Sequence, residues 1–216
     1  MSRRGCLVVL EGLDGAGTTT QAARLAAALR RAGIRVTLTR EPSDGPIGRL
    51  LREALRRGVP GRGEGLSDAA LALLFAADRL DHLASTLEPA LAAGRVVVCD
   101  RYLLSSFAYQ GRVLGWRWVE ALNARAPAPD LTLFLQVRPG VAAARRDGRG
   151  GRRERFESAR IQRQVARAYA AMVGRHARDH RIRTVDGERS VREVGAEVEA
   201  WVAVLLARRR GRRGLG

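Results

Sequence analysis

A glycine-rich segment near the start of the chain has residue types that are typical of phosphate binding. It follows an apolar run and comprises Gly12, Leu13, Asp14, Gly15, Ala16, Gly17, Thr18, Thr19 and Thr20. Gly12, Gly17 and Thr19 fit the pattern G-x-x-x-x-G-K-[ST], in which backbone N–H groups surround the phosphates of a nucleoside triphosphate. The Thr19 hydroxyl would be a ligand for Mg²⁺. We expect all nine residues to contact the nucleotide; a glycine-rich turn without a ligand is the alternative.

Position 18 breaks this pattern, because Thr18 stands where a lysine is usual. That lysine contacts the β- and γ-phosphates as a flexible cation, whereas a threonine hydroxyl is short and neutral. The chain contains no lysine, so its 39 lysine-or-arginine positions are all arginines. An uncompensated loss of such a donor would cost about 10²–10³ in rate. We therefore expect either a compensating cation elsewhere or weak catalysis.

Two further polar groups follow apolar runs. The residues Thr39-Arg40-Glu41-Pro42 end the second run, and Asp100-Arg101-Tyr102 end the third. In a parallel sheet, ligands bind at the carboxyl ends of the strands. Asp100 is predicted to hold Mg²⁺ through water, and Arg101 to bind a phosphate with its forked guanidinium. An ordinary surface ion pair is the alternative for these two residues.

The alternation of apolar runs with helical segments predicts an α/β domain. Five strands are expected, at Cys6–Leu10, Arg35–Thr39, Arg95–Cys99, Leu131–Val137 and Ile182–Val185. The first, third and fourth are continuously apolar, which indicates a parallel sheet covered by helices on both faces. Right-handed crossovers would join the strands. We predict a single three-layer domain over residues 1–207, followed by a disordered basic tail at 208–216.

Helical segments fill the intervals between the strands. They are expected at Thr19–Ala32, Ile47–Arg57, Ser67–Ala93, Leu103–Arg125, after Pro139, at Glu154–Asp179 and at Ser190–Arg208. Pro89 is expected to bend the third of these, because proline lacks the N–H that continues the helical hydrogen bonds. Ser190 with Glu193 three residues later is a capping-box pattern, which sets the start of the last helix.

Composition restricts the class of protein. Hydrophobic residues make up 46% of the 216 residues and charged residues 28%, which is a globular balance. No apolar run approaches the ~20 residues that cross a bilayer, and the first residues do not form a signal peptide. We therefore expect a cytoplasmic protein without a membrane partner, in which Cys6 and Cys99 are reduced core residues. The net charge of +17 suits a small anionic substrate; a nucleic-acid partner is the less favoured alternative.

Six segments, taken in order, resemble the thymidylate kinase family, whose members phosphorylate dTMP with ATP. They span about Val8–Glu157 and read LEGLDGAGTTTQ, TREP, LFAADR, DRYLLSSFAYQG, PDLTLFLQV and ERFE. The resemblance implies the P-loop NTPase fold, ATP and Mg²⁺ as the nucleotide and metal, and a homodimer.

The resemblance also implies a dTMP site, made of Asp14, Pro42, Phe75, Arg79, Arg101, Ser106, Tyr109 and Gln110. On the sugar and phosphate side, it implies that Asp14 contacts the 3′-hydroxyl. Arg101 would bind the dTMP phosphate and stabilise the transferring charge. Tyr109 would lie against the sugar and disfavour a 2′-hydroxyl.

On the base side, the resemblance implies that Phe75 stacks on thymine and that Arg79 holds the base or the 5′-phosphate. Ser106 and Gln110 would face the base, and Pro42 would shape the same pocket. From its spacing alone, Phe75 lies on an apolar helix face and would be assigned to the core.

The arginine-rich segment 145–155 matches the segment that closes over ATP as a mobile lid in this family. Members carry a catalytic arginine either in the P-loop or in the lid. Gly15 occupies the P-loop position here, so the chain resembles the group with the lid arginine. Arg149 and Arg153 are therefore predicted to act in catalysis with Arg101 and Asp14. A solvated loop is the alternative interpretation.

The resemblance implies phosphorylation of dTMP to dTDP in deoxythymidine nucleotide synthesis. Two alternatives stay open. One is a catalytically impaired nucleotide-binding protein on the same fold, supported by Thr18. The other is a kinase of a different deoxynucleotide.

Overall fold

A five-stranded parallel sheet forms the centre of the structure, a computed structural model that describes residues 4–57, 66–148, 156 and 158–211. The strands are β1 Cys6–Gly12, β2 Val36–Arg40, β3 Val96–Asp100, β4 Leu131–Gln136 and β5 Ile182–Asp186. Their order is β2-β3-β1-β4-β5, and every neighbouring pair is parallel. The predicted parallel sheet of five strands is confirmed.

Burial of the strands follows their places in the sheet. Every residue of β1 and β3 is buried, as are all residues of β4 except Gln136. The edge strand β2 instead alternates between less and more exposed residues. Cys6 and Cys99 are buried free thiols within β1 and β3. Burial raises the pKa of the Cys6 thiol to about 11, so this thiol stays protonated in the core.

Ten α-helices and one π-helical turn are present in the described part of the chain. They are α1 Thr18–Arg31, α2 Pro46–Arg57, α3 Asp68–His82, the π turn Leu83–Leu87, α4 Glu88–Ala92, α5 Leu103–Tyr109, α6 Gly111–Leu114, α7 Trp116–Leu122, α8 Pro139–Asp147, α9 Ala159–His176 and α10 Val191–Gly211. Helices α1 and α10 contact each other and the sheet, and α5 with α9 forms a second contacting pair. Because β1 is buried on both sides, these pairs cover opposite faces and complete three layers. None of the described helices has the length and apolar character needed to cross a membrane.

Two helix boundaries differ from the prediction in informative ways. The predicted helix Ser67–Ala93 is divided by the π turn just before Pro89. The ring of a proline clashes with the carbonyl group four residues earlier in a regular α-helix. The wider π turn before Pro89 relieves this clash. The next long helix was predicted to begin at Glu154, which lies outside the described residues; α9 is described from Ala159. Ser158 is extended, and its hydroxyl accepts a hydrogen bond from the Ile161 N–H at 3.3 Å.

The last helix begins as its capping box predicts and extends beyond Arg208. The Ser190 hydroxyl donates to the Glu193 carboxylate at 2.6 Å, and the Glu193 N–H donates back to the Ser190 hydroxyl at 3.3 Å. Near the other end, Arg209 donates to Asp130 at 2.9 Å and to the Gly5 carbonyl at 2.9 Å. Helix α10 ends at Gly211, inside the segment assigned to the tail; residues 212–216 lie outside the described part.

Candidate active site

The polar groups predicted from the ends of the strands lie side by side. Strand β3 lies between β1 and β2, and Asp100 is level with Leu10 of β1 and Arg40 of β2. The segment after β3, which begins with Arg101, therefore lies between the glycine-rich loop after β1 and Glu41 after β2. This edge of the sheet is where an open α/β sheet binds its ligands.

The glycine-rich loop has the backbone of a phosphate cradle. Gly15 and Gly17 have φ values of 93° and 97°, which side-chain-bearing residues rarely adopt. A Cβ atom at Gly15 would also lie 2.3 Å from the Ala142 carbonyl oxygen, so only glycine fits there. Helix α1 begins at Thr18, and its free N–H groups and partial positive charge lie at the loop. Leu13 and Ala16 are buried in the core, which leaves only their backbone for a nucleotide.

The Thr19 hydroxyl and Asp100 form a pair that fits Mg²⁺. Thr19 Oγ1 donates to Asp100 Oδ2 at 2.5 Å. The other carboxylate oxygen, Oδ1, is buried and has no hydrogen-bond partner among the described residues. Within that same part of the chain, no three His, Cys, Asp or Glu side chains cluster as a metal cage. Mg²⁺ does not need one, because it keeps several waters and is held by few protein oxygens together with substrate phosphates.

Asp14 is the centre of a hydrogen-bond network at the mouth of the loop. Its Oδ1 accepts from Arg101 Nη2 at 2.7 Å, and its Oδ2 accepts from the Tyr109 hydroxyl and from Gln162 Nε2, each at 2.8 Å. Burial, with the neighbouring Asp14 carboxylate, raises the pKa of Tyr109, so the phenol stays protonated and donates. Gln162 lies on α9 and was not predicted.

Arg101 is held in a fixed position by both its backbone and its side chain. Its φ of 71° is in the left-handed region, which is costly for a residue other than glycine. Besides Asp14, its guanidinium donates to the Gly12 carbonyl at 2.9 Å, to Ser105 Oγ at 3.2 Å and to the Tyr169 hydroxyl at 3.3 Å. The arginine is therefore already directed at the phosphate loop.

The buried carboxylate of Glu11 binds the backbone and side chains around Arg101. It accepts hydrogen bonds from the Tyr102 N–H at 2.9 Å, from Ser105 Oγ at 2.6 Å and from the Tyr169 hydroxyl at 3.1 Å. Burial raises the pKa of Glu11, while the hydrogen bonds from Ser105 oppose that rise. Sequence analysis did not single out Glu11, Ser105 or Tyr169. Their function is to hold the segment after β3 against the phosphate loop.

All eight residues predicted for the dTMP site line one cavity beside Asp14 and Arg101. Among the described residues, the lining is Asp14, Glu41, Pro42, Leu55, Phe75, Arg79, Arg101, Tyr102, Ser105, Ser106, Tyr109, Gln110 and Phe156. Phe75 is half-buried at this cavity rather than in the core. Gln110 Nε2 is a buried donor without an acceptor among the described residues. The cavity thus offers an aromatic face and an unused amide donor.

Arg79 at the base of the cavity also has a structural role. It is 1% exposed, and its guanidinium lies 2.7 Å from the Glu41 carboxylate. It further donates to Asn123 Oδ1, to the Tyr102 carbonyl at 3.1 Å and to Ser106 Oγ at 3.1 Å. These contacts join α3 to the loops that follow β2 and β3.

A second cleft borders the glycine-rich loop on its other side. It is lined by Gly15, Ala16, Gly17, Thr20, Gln21, Arg145, Gly187, Glu188, Arg189, Ser190, Val191 and Val194. Arg145 of α8 closes one wall by donating to the Gly187 carbonyl at 2.8 Å. The loop 187–190 was not predicted as part of a site. Of the predicted lid, only residues 145–148 are described; Arg149 and Arg153 lie outside the described residues.

Comparisons with known proteins agree with this geometry. The profile of the thymidylate kinase family matches residues 10–198. The probable thymidylate kinase of Pyrococcus abyssi (strain GE5 / Orsay) is 41% identical over 200 residues, which cover 92% of this chain and 96% of the relative. The thymidylate kinase of Ruegeria pomeroyi (strain ATCC 700808 / DSM 15171 / DSS-3) is 40% identical over 216 residues, which cover 97% and 100%. The chain therefore belongs to the thymidylate kinase family.

Proposed function

We propose that the protein transfers the γ-phosphoryl group of ATP to the phosphate of dTMP, producing dTDP and ADP. The observation that carries this proposal is the position of the cavity containing the eight predicted dTMP residues. It meets the phosphate loop at Asp14 and Arg101, so an acceptor in the cavity would present its phosphate to a triphosphate on the loop. Membership of the family supports this assignment.

The cavity has groups that suit each part of dTMP. The half-buried ring of Phe75 offers a stacking face for the thymine base. Gln110 Nε2 is the unused donor that a base carbonyl would satisfy. Tyr109, held by Asp14, would lie against the sugar, and Arg101 would bind the phosphate. Ser106 and Pro42 complete the wall.

ATP would bind with its phosphates on the glycine-rich loop and its nucleoside in the cleft walled by Arg145. Thr19 and, through water, Asp100 would hold Mg²⁺. The bound ion would neutralise phosphate charge and orient the β- and γ-phosphates.

The protein's own contribution is positioning and charge neutralisation. The dTMP phosphate is already ionised at neutral pH, because the second pKa of a phosphate monoester is about 6, so it attacks without a general base. Arg101 orients that phosphate and offsets the repulsion between the two anions, and Asp14 keeps Arg101 directed at the phosphate loop. Residues 149 and 153 are the proposed lid arginines of the same step.

A coupled assay of ADP release tests this function with ATP, Mg²⁺ and dTMP. Parallel reactions contain dUMP, dCMP, dGMP or no acceptor. We expect turnover with dTMP to exceed the other acceptors by at least about tenfold, a discrimination of about 1.4 kcal/mol. Preference for another acceptor would establish a different deoxynucleotide kinase. Binding of ATP and dTMP without turnover would instead establish the impaired nucleotide-binding protein that Thr18 suggests.

We also infer that the protein forms a homodimer through α2, α3 and the edge strand β2. Leu38, Leu50, Leu73 and Leu80 are exposed on these elements by 40–52%. Leu73 and Leu80 are seven residues apart and share one face of α3. The Thr39 hydroxyl lies 2.7 Å from the His82 imidazole and holds β2 alongside that helix. Because the leucines lie on adjoining elements, a second copy is the partner we assign to them.

We infer a cytoplasmic location. The two buried cysteines are free thiols, as is usual in a reducing compartment, and ATP and dTMP would be the substrates there. Arginines that would bind two anionic substrates account for part of the net charge of +17, which favours these substrates over a nucleic acid as partners.

A further inference from the structure

The phosphate loop lacks the cation that its own sequence pattern usually supplies. Thr18 is 5% exposed, and its Cγ2 methyl would be 3.4 Å from a Cβ atom at Gly12, so the side chain is packed against the loop. It is neutral and too short to follow a phosphate group during transfer. Arg101 contacts the loop at the Gly12 carbonyl, but Asp14 already pairs with its guanidinium.

Helix α8 packs directly on the same loop and brings another arginine to it. A Cβ atom at Gly15 would lie 3.1 Å from Arg146 Cγ, as well as 2.3 Å from the Ala142 carbonyl oxygen. Arg146 Nη1 donates to the carbonyl oxygen of Asp14. The missing side chain at Gly15 therefore leaves the space through which Arg146 reaches the loop.

Among the described residues, the charge of Arg146 has no carboxylate partner, and most of its N–H donors have no acceptor. A guanidinium has five N–H donors, and the Asp14 carbonyl accepts one of them. Within the described part of the chain, no carboxylate pairs with Arg146, whereas Asp14 pairs with Arg101 and Glu41 with Arg79. Arg146 is half-buried, so its charge is partly shielded from water.

We propose that Arg146 supplies, from α8, the cation that Thr18 cannot supply from the P-loop. This inference rests on the proposed function. In the transfer, a dTMP phosphate oxygen forms a bond to the γ-phosphorus while the bond from that phosphorus to the β–γ bridging oxygen breaks. The electron pair of the broken bond stays on the β-phosphate of ADP. Arg146 neutralises the charge that grows on these phosphate oxygens.

Arg146 could instead have a purely structural role, bracing the loop through its hydrogen bond to the Asp14 carbonyl, and three variants distinguish the two roles. Arg146→Gln removes the charge but keeps an amide donor for that carbonyl, and Arg146→Lys keeps the charge. Thr18→Lys restores the usual cation from the loop. Arg31→Ala is the matched control, because it removes an exposed arginine 13 residues along α1, about 20 Å from Thr18 at 1.5 Å per residue.

The first measurement is steady-state kinetics of these variants with ATP and dTMP. We expect Arg146→Gln to lower kcat by about 10²-fold with little change in the KM for dTMP, and Arg146→Lys to lower it by less than about tenfold. In the Thr18→Lys background, Arg146→Gln should cost less than about tenfold, because the two cations replace each other. Equal losses in both backgrounds, or a kcat for Arg146→Gln equal to that of Arg31→Ala, would overturn the proposal.

The second measurement is equilibrium binding, which does not depend on turnover. We expect Arg146→Gln to weaken binding of Mg²⁺ with a β,γ-imido analogue of ATP by about tenfold or more and to leave binding of AMP unchanged. Equal weakening of both ligands would show bracing of the loop and overturn the proposal. A wild-type protein without turnover would refute the proposed function, while this comparison would still test Arg146.

Discussion

Asp14 Oδ1 and Arg101 Nη2 form an ion pair of 2.7 Å between residues that are 87 positions apart in the chain. Asp14 belongs to the phosphate loop after β1, and Arg101 to the segment after β3. The pair therefore connects the element that would bind ATP to the arginine that would bind the dTMP phosphate. Under the proposed function, the relative placement of the two substrates would depend on this contact.

Replacing Asp14 with Asn should lower kcat/KM for dTMP by about 10²-fold, equivalent to about 2.7 kcal/mol. The amide has no charge to hold Arg101, and it cannot accept from Tyr109 and Gln162 as the carboxylate does. Steady-state kinetics with varied dTMP measures the effect. Glu199→Gln, which neutralises an exposed carboxylate on α10, is the control and should retain full activity. A loss below about threefold for Asp14→Asn would show that the pair does not position Arg101.

Replacing Arg79 with Met should lower the free energy of unfolding by about 3–5 kcal/mol, because Glu41 would keep a buried charge without its partner. Urea denaturation followed by circular dichroism measures this change. The double variant Arg79→Met with Glu41→Gln should recover part of the loss, since both charges are then absent. If Arg79→Met alone is as stable as the wild type, Arg79 does not have the structural role given to it here, whatever its effect on dTMP binding.

Replacing Phe75 with Ala should raise the Kd for dTMP by about 10–100-fold, because stacking of a base on an aromatic ring contributes about 1–3 kcal/mol. The effect on the KM for ATP should be small, since Phe75 lines the acceptor cavity and not the cleft walled by Arg145. Isothermal titration calorimetry with dTMP gives the Kd. Phe75→Tyr retains an aromatic face and is the matched control. Unchanged dTMP affinity in the Ala variant would remove Phe75 from the site.

Local sequence patterns predicted the sheet and the glycine-rich loop, because both follow from short segments. The residues of the acceptor cavity were instead implied by the family resemblance. The glycine pattern places Gly15 and Gly17 at a strand end, and Asp100 ends the next strand in the sheet. Spacing could not place Phe75, because the same apolar helix face is compatible with a core or a cavity. How α3 packs against α2 and beside the segments that follow β2 and β3 determines that this face meets the cavity.

The sequence did not predict the side chains that reach the site from distant segments. Gln162 reaches Asp14 across 148 positions, and Tyr169 reaches Glu11 across 158. No local pattern carries such a contact. Arg146 belonged to the arginine-rich cluster, but its charge alone did not distinguish it from its neighbours. Its contact with Asp14 depends on how α8 packs over Gly15.

Stability should fall as the pH is lowered from 7.5 to 5.5, in part because of His176 and His180. Burial lowers the pKa of both in the folded protein, although Glu120 and Asp179 oppose the shift of His176 and Asp179 that of His180. In the unfolded chain both titrate near 6.5. Below about pH 6.5 the unfolded chain therefore binds more protons than the folded protein. The free energy of unfolding decreases as the pH is lowered from there toward the lower pKa of the folded imidazoles.

Urea denaturation at pH 7.5 and 5.5 measures that decrease in the wild type and in the double variant His176→Gln with His180→Gln. The double variant should lose less stability between the two pH values, whatever its absolute stability. Both pH values lie above the ordinary carboxylate range. Glu11, whose pKa burial raises, is present in both proteins and therefore does not affect the comparison. An equal decrease in both proteins would show that the two imidazoles do not cause it.

Replacing Leu73 and Leu80 together with Arg should convert a dimer to a monomer, because two desolvated guanidinium groups would face the second copy across α3. Light scattering after size-exclusion chromatography should give twice the 23.5 kDa chain mass for the wild type and one chain mass for the variant. Val204→Arg, at an exposed apolar position on α10, is the control and should remain dimeric. A monomeric wild type, or a double variant that stays dimeric, would exclude this face of α3 as the interface.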